Sequence, residues 1–320
     1  SLVFNYKRIS SPGIYINQEA NENLFSGEFN YNTNDKIYQL QITGNVDRIE
    51  NQENGGLSNI NDFETDTLDR RSLYGVNLEK SYYTLKKTKF GFNQRFNFIN
   101  KELDSLKKVN FYIGLSNEYS TTKREYFDYD SDSPIYDSTY FDSTSTFWSD
   151  STFLKHFKNG LRLGFSNHVI NVEGFFDYYQ QEYYQYMGVD SVFGSSYAGF
   201  KVGLTTKKTQ TEGWFSYGLN GYNSGDIEST VNFTFNPSNN LNIVLEGKYS
   251  QVEPEIYYKD FSSNHFKWKN DSLEKIQTID LGAKIVLSKY RLKLFANAKL
   301  LDNFMYFDTL VQLQQNEFAT

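Results

Sequence analysis

The chain has 320 residues, no Cys, 4 Pro, 26 Tyr, 28 Phe and a net charge of -7. Mean hydropathy is -0.62, and no run approaches the roughly 18 apolar residues of a membrane helix, which excludes a helical membrane protein. A membrane β-barrel stays open, because only alternate strand residues must be apolar; the absence of a basic cluster argues against nucleic acid as a partner.

The N-terminal stretch Ser1–Asn5 lacks the basic start and long apolar core of a signal peptide. The expectation is a removed signal or an excised piece. No composition shift marks a boundary, so residues 1–320 read as a single domain.

Two-residue alternation then recurs along the chain, giving each strand one greasy and one wet face. The first apolar faces are Phe25, Phe29 and Tyr31, then Tyr38, Leu40 and Ile42. Phe90, Phe92, Phe96 and Phe98 follow, then Val109, Phe111, Ile113 and Leu115. Next come Leu161, Leu163 and Phe165, and Ile170, Val172, Phe176 and Tyr178. Ala198, Phe200, Val202 and Leu204 precede Phe215, Tyr217 and Leu219. Ile227, Val231, Phe233 and Phe235 precede Leu241, Ile243, Leu245 and Tyr249. The last pair is Ile279, Leu281, Ala283, Ile285 and Leu287 with Leu292, Leu294, Ala296, Ala298 and Leu300. Gly, Pro and Asn clusters separate these runs, as hairpins require.

Connection length alternates. Short turns are expected at 32–35, 166–168, 207–212, 236–240 and 288–290, with 100–107 somewhat longer. Long segments are expected at about 44–86, 128–150, 187–196 and 259–271, and a tight turn at 223–226 is the exception on that end. Residues 72–86, with Leu73, Val76, Leu78 and Tyr82, are placed in the first long loop as a short helix or bent strand. Short turns on one rim and long loops on the other are the habit of outer-membrane barrels. A soluble antiparallel protein would also alternate, but its second face would bury charges such as Arg162 or Lys293 at high cost. The expected fold is therefore an all-β, antiparallel, up-and-down transmembrane barrel of about 12–14 strands, not necessarily complete.

In such a barrel the wet faces point to the lumen. Candidate lumen-lining residues are Arg95, Glu118, Arg162, Glu173, Lys201, Glu246, Lys284, Arg291 and Lys293. Both signs are mixed, so no strong ion preference is expected. Phe90, Phe98, Tyr31, Tyr38, Tyr178, Tyr217, Tyr249 and Tyr290 near strand ends suit interfacial girdles, with sugar stacking as the sharper alternative.

Asp128-Tyr129-Asp130-Ser131-Asp132 starts like a calcium loop but lacks the Gly and distant Glu of an EF-hand. His156, His168 and His265 lack metal-ligand spacing. No phosphate-binding Gly loop and no Gly-x-Ser-x-Gly elbow is present. No catalytic residue, metal or cofactor is expected.

The loop Ile49-Glu50-Asn51-Gln52-Glu53-Asn54-Gly55-Gly56-Leu57 resembles the putative porin family of Bacteroidota, a Gram-negative group. Asn77-Leu78-Glu79-Lys80-Ser81, Thr139-Tyr140-Phe141-Asp142-Ser143 and Gly221-Tyr222-Asn223-Ser224-Gly225-Asp226 are similar to it as well. The resemblance spans most of the chain and implies a cell outer-membrane barrel with passive diffusion of small solutes. It carries no catalytic residues over. Members are usually longer and close on a strand ending in an aromatic residue. This chain ends Asn316-Glu317-Phe318-Ala319-Thr320, and 306–315 looks like the start of another element. The expectation is a segment of a longer barrel. Expected partners are outer-membrane lipid and small solutes, with a second copy or other outer-membrane proteins as further candidates. The alternative function is a loop-plugged barrel serving as receptor, adhesin or secretion-assembly partner.

Overall fold

Backbone N–H and C=O groups at membrane depth must bond to protein, so a spanning β-structure has to be one continuous ladder. In the computed structural model, which describes residues 1–65, 70–102, 108–129, 147–186, 188, 190–307 and 313–316, thirteen strands form one such sheet, each antiparallel to its neighbour. They are β1 (Leu2–Ser11), β2 (Ala20–Asn32), β3 (Tyr38–Glu53), β4 (Ser81–Glu102), β5 (Lys108–Asp128) and β6 (Trp148–Ser166). β7 (Ile170–Gln185), β8 (Asp190–Thr205), β9 (Thr209–Gly221), β10 (Ile227–Ser238) and β11 (Leu241–Val252) continue the order. A small hairpin of β12 (Asp260–Ser262) and β13 (Lys267–Lys269) interrupts it before β14 (Ile276–Leu287) and β15 (Leu292–Asp302). β16 (Phe304–Phe307) and β17 (Leu313–Asn316) pair with each other. Helices are short: α1 (Ile60–Glu64) and α2 (Ile256–Lys259).

Register follows the alternation. Ile279, Leu281, Ala283 and Ile285 of β14 face Leu300, Ala298, Ala296 and Leu294 of β15 across the ladder. The same holds for Phe111, Ile113 and Leu115 of β5 against Phe165, Leu163 and Leu161 of β6. These side chains stand in the open: Leu163 is 56% and Leu281 53% exposed. The buried groups are largely polar, among them Ser81, Asp128, Asp177, Asp226, Ser263 and Asn264. Apolar outside and polar inside is the reverse of a soluble protein and suits lipid.

The sheet curls. Segment 253–275, between β11 and β14, reaches Arg124 of β5, Trp148 of β6 and Gln185 of β7, none of them neighbours of β11 or β14 in the sheet. The polar face is therefore the concave one. Among the described residues β1 pairs only with β2 and β15 only with β14, so the arc is open.

Three strand bounds differ from expectation. β3 runs to Glu53 and β4 starts at Ser81, so the loop expected over 44–86 shrinks to 54–80. Beyond Val46 the outer face of β3 turns polar, with Arg48, Glu50 and Gln52 paired to Lys86, Thr84 and Tyr82. The ladder persists there while the apolar alternation stops, because a wall standing clear of lipid no longer needs it. Likewise β8 starts at Asp190, which reduces the loop expected over 187–196. β1 was not anticipated: Leu2-Val3-Phe4 is apolar on both faces and Lys7-Arg8 charged on both, so no period shows. Within 54–80 the structure has a 3-10 turn at Arg71–Leu73 and a bridge from Leu57 to Val76, with Tyr74, Val76 and Leu78 buried.

Strand length separates the two ends. β4, β5 and β6 have 22, 21 and 19 residues, where roughly 10 suffice to span. At about 3.3 Å per residue the 21 residues of β5 reach about 70 Å. The extra length lies at the long-loop end.

Candidate functional site

The concave face carries a belt of paired charges. Arg95 of β4 lies over the Tyr112 ring of β5, its guanidinium carbon 3.4 Å from the centroid. The Tyr112 hydroxyl donates to Glu173 of β7 at 2.7 Å, and Lys201 of β8 stands 3.7 Å from the same carboxylate. Four residues along β7, Asp177 meets Arg162 at 2.6 Å and Lys158 at 3.0 Å, both from β6. Lys89 and Glu118 pair at 2.8 Å between β4 and β5. Toward β2, Gln41 donates to Glu28 at 3.0 Å and Asn93 to Gln41 at 3.3 Å.

Glycine makes this geometry. Tyr112 pairs with Gly164 of β6, and a Cβ on Gly164 would sit 2.0 Å from the Tyr112 ring. The absent side chain lets the ring lie flat across β6 and reach Glu173 beyond it. Gly160 serves Asp177 and Arg162 in the same way, with a Cβ 2.2 Å from the Asp177 carboxylate.

The second component is segment 253–275, which folds back over the concave face. Its stem is an ion cluster: Lys275 contacts Asp226, and meets Glu253 at 3.1 Å, while Glu253 also contacts Lys259. Asp226 accepts from the Glu253 backbone N–H at 2.9 Å. Burial opposes the Lys275 charge, but hydrogen bonds to Asp226 and Glu253 outweigh it and hold its pKa above the ordinary value. The tip docks on the far wall. Gln185 donates to the Asp260 carbonyl at 3.1 Å and accepts from the Ser262 N–H at 3.0 Å. The Trp148 and His265 rings meet edge-on at 5.7 Å. Burial pushes the Tyr257 phenol up to about 12.

Of the residues singled out from sequence, Arg95, Glu118, Arg162, Glu173 and Lys201 share the concave face, as the register from β4 to β8 places them on one side. Glu246, Lys284 and Lys293 continue that face over β11, β14 and β15. Arg291 lies in the turn after Ser288–Tyr290, with a left-handed φ of 51°, rather than on a strand. Tyr112 and Asp226 were missed. Tyr112 sits on the wet face of an alternating strand, where an aromatic carries no charge signal. Asp226 lies in a turn, and its partner Lys275 is far away in sequence.

On the outer face Phe90 pairs with Tyr119, and Tyr119 with Phe157. Beyond them stand Lys123, Lys155 and Glu182, the last two paired at 3.1 Å. That step from rings to charges marks one edge of the apolar band. Most of the calcium-like segment, from Asp130 on, lies outside the described residues, as does Thr139–Ser143. Among the described residues no group of His, Asp and Glu has the arrangement of a metal site.

An open-curled antiparallel sheet whose strands follow chain order, with only the β12–β13 hairpin set aside, and with a lipid-type outer face and a hydrated inner one, defines the wall of a membrane β-barrel. A family model described as "Putative porin" matches residues 2–319, and the chain belongs to that family. Membership of that family places the chain in the outer membrane. None of the curated proteins is significantly similar to it in sequence. Among solved structures it is similar to the copper transporter OprC, with a TM-score of 0.56, 9% identity, and coverage of 99% of this chain and 52% of the other. For the siderophore receptor PirA from Acinetobacter baumannii the TM-score is 0.49, identity 8%, and coverage 100% and 58%. At such identity the likeness to OprC concerns the fold. The chain spans about half the length of these two proteins.

Proposed function

We propose that the concave face is the lining of a hydrated pore for passive diffusion of small solutes, narrowed by segment 253–275. The observation that carries this is the segment's crossing from β11 to β5–β7 over a wall of paired charges. Arg95, Arg162, Lys201, Glu118 and Glu173 line the passage, with Glu246, Lys284 and Lys293 further round. Lys201 pairs with Glu173, Lys89 with Glu118, and Arg162 and Lys158 with Asp177, and this mixing of signs along the wall suits a size filter more than an ion filter. The inner surface carries the contacts of a pore, and no catalytic role is assigned to it.

Closure is part of this reading. Free strand edges in hydrocarbon leave backbone groups unpaired, and β1 is exposed along its whole length. Further strands therefore complete the wall between β15 and β1, making the thirteen-stranded arc a segment of a larger barrel.

Single-channel recording of the full-length protein, with folding shown by heat-modifiable gel migration, tests the pore. Steps of steady conductance are expected, and deletion of 256–270 should enlarge them. Folded protein without conductance, with or without the segment, would reject passive diffusion in favour of a plugged receptor.

A further inference from the structure

At the long-loop end of the wall, the inward segment and β3–β6 form a cleft of about 570 Å³. Small-molecule sites typically measure about 300–1,000 Å³. One side is aromatic. Phe261 and Trp268 stack with centroids 4.4 Å apart, and Tyr257 meets them at 4.9 and 5.8 Å. The Trp268 indole N–H donates to the Tyr257 carbonyl at 3.0 Å, which fixes the indole plane. The hairpin β12–β13 holds Phe261 opposite Trp268 in register. The ring surface is thus built before any ligand arrives, which lowers the ordering cost of binding.

The other side is polar and planar, with Asn51 and Glu53 from β3 and Arg124 from β5. Glu53 is half-buried, has no ion-pair partner among the described residues, and burial alone raises its pKa. Arg124 gives one nitrogen to Glu255 at 3.3 Å, also bonds the Tyr83 phenol and lies 5.2 Å from the Tyr257 ring centroid, and its five-donor fork has N–H groups beyond those two bonds.

Chemistry narrows the ligand. A cation alone would meet Arg124, and an anion alone would meet Glu53. A flat hydrocarbon would stack on the rings but leave the polar side without partners, which is costly once water is excluded. The complement is a molecule with an apolar C–H face and a rim of groups that both donate and accept. We propose that the cleft binds a neutral saccharide, its ring stacked on the Trp268–Phe261–Tyr257 surface and its hydroxyls bonded to Glu53, Asn51 and Arg124. This names the solute class of the pore and rests, in that respect alone, on the diffusion reading above.

The test uses the full-length protein in detergent micelles with folding confirmed by heat-modifiable migration. Maltose, cellobiose and N-acetylglucosamine are titrated by tryptophan fluorescence and saturation-transfer NMR, with tetramethylammonium and benzoate as charged controls. At least one sugar should bind saturably. Glu53→Gln, which keeps shape and removes charge, should weaken it about tenfold or more, and Asn51→Ala should weaken it less. Trp268→Phe should retain part of the affinity and Trp268→Ala lose it. The proposal is overturned if no sugar saturates, if a control binds tighter than every sugar, or if Glu53→Gln binds as the parent does. Conductance without sugar binding would remove this site and leave the pore. Sugar binding without conductance would keep the site and remove the pore.

Discussion

Tyr112 and Glu173 join two strands that are not neighbours: the phenol of β5 crosses β6 at Gly164 and donates to the carboxylate of β7 at 2.7 Å. The bond ties three strands of the wall together. Arg95 covers the other face of the ring, so a polar link and a cation–π contact share one side chain.

Tyr112→Phe removes only the hydroxyl and should cost about 1–3 kcal/mol, since Glu173 loses a charge-assisted bond. Gly164→Val should cost more, because its Cβ alone would fall 2.0 Å from the ring and displace Tyr112 from both partners. Urea unfolding in phospholipid vesicles, followed by gel migration, ranks the two. Equal midpoints would mean that Gly164 does not position the ring.

The two faces should respond oppositely to charge. Leu163→Lys places an ammonium in the apolar band and should destabilise by about 2–4 kcal/mol if the site lies near mid-bilayer. Ser116→Lys on the concave face should change stability by less than about 0.5 kcal/mol. The same unfolding measurement applies, and a reversed order would invert the assignment of faces.

Arg162 and Lys158 share Asp177, which is 3% exposed. Arg162→Gln should therefore leave Asp177 partly compensated by Lys158 while removing one positive charge from the lining. Reversal potentials in a salt gradient should shift toward cation permeability, and a shift toward anions would contradict the lumen assignment. Because Asp177 keeps one partner, the stability loss should stay at about 1–3 kcal/mol.

Lys275 holds the stem of the inward segment through Asp226 and Glu253. Its folded pKa is raised above the ordinary 10.5, so its contribution is fully present below that value and is lost as pH rises through the folded pKa. At pH 8, Lys275→Met should show larger or noisier conductance than the parent. Above the folded pKa the parent should approach the variant. Parallel behaviour at every pH would show that the ion cluster does not pin the segment.

The alternation of side chains by itself determined that this is a β protein with one face for lipid and one for water. Within the strands that alternate, it also sorted side chains between the two faces, because the two-residue period is a property of the strand backbone; it failed for Arg291, which lies in a turn, and for β1, where no period shows. Connection lengths told the two rims apart. Loop bounds were legible only where the apolar face continues; past Val46 the ladder goes on but its sequence signal ends with the membrane. What only the tertiary structure decided are the contacts between distant residues. That 253–275 turns inward, that Asp226 meets Lys275, and that Tyr112 reaches Glu173 over Gly164 all depend on how far the sheet curls. Curvature arises from the whole set of strand pairings, and no local stretch of sequence encodes it.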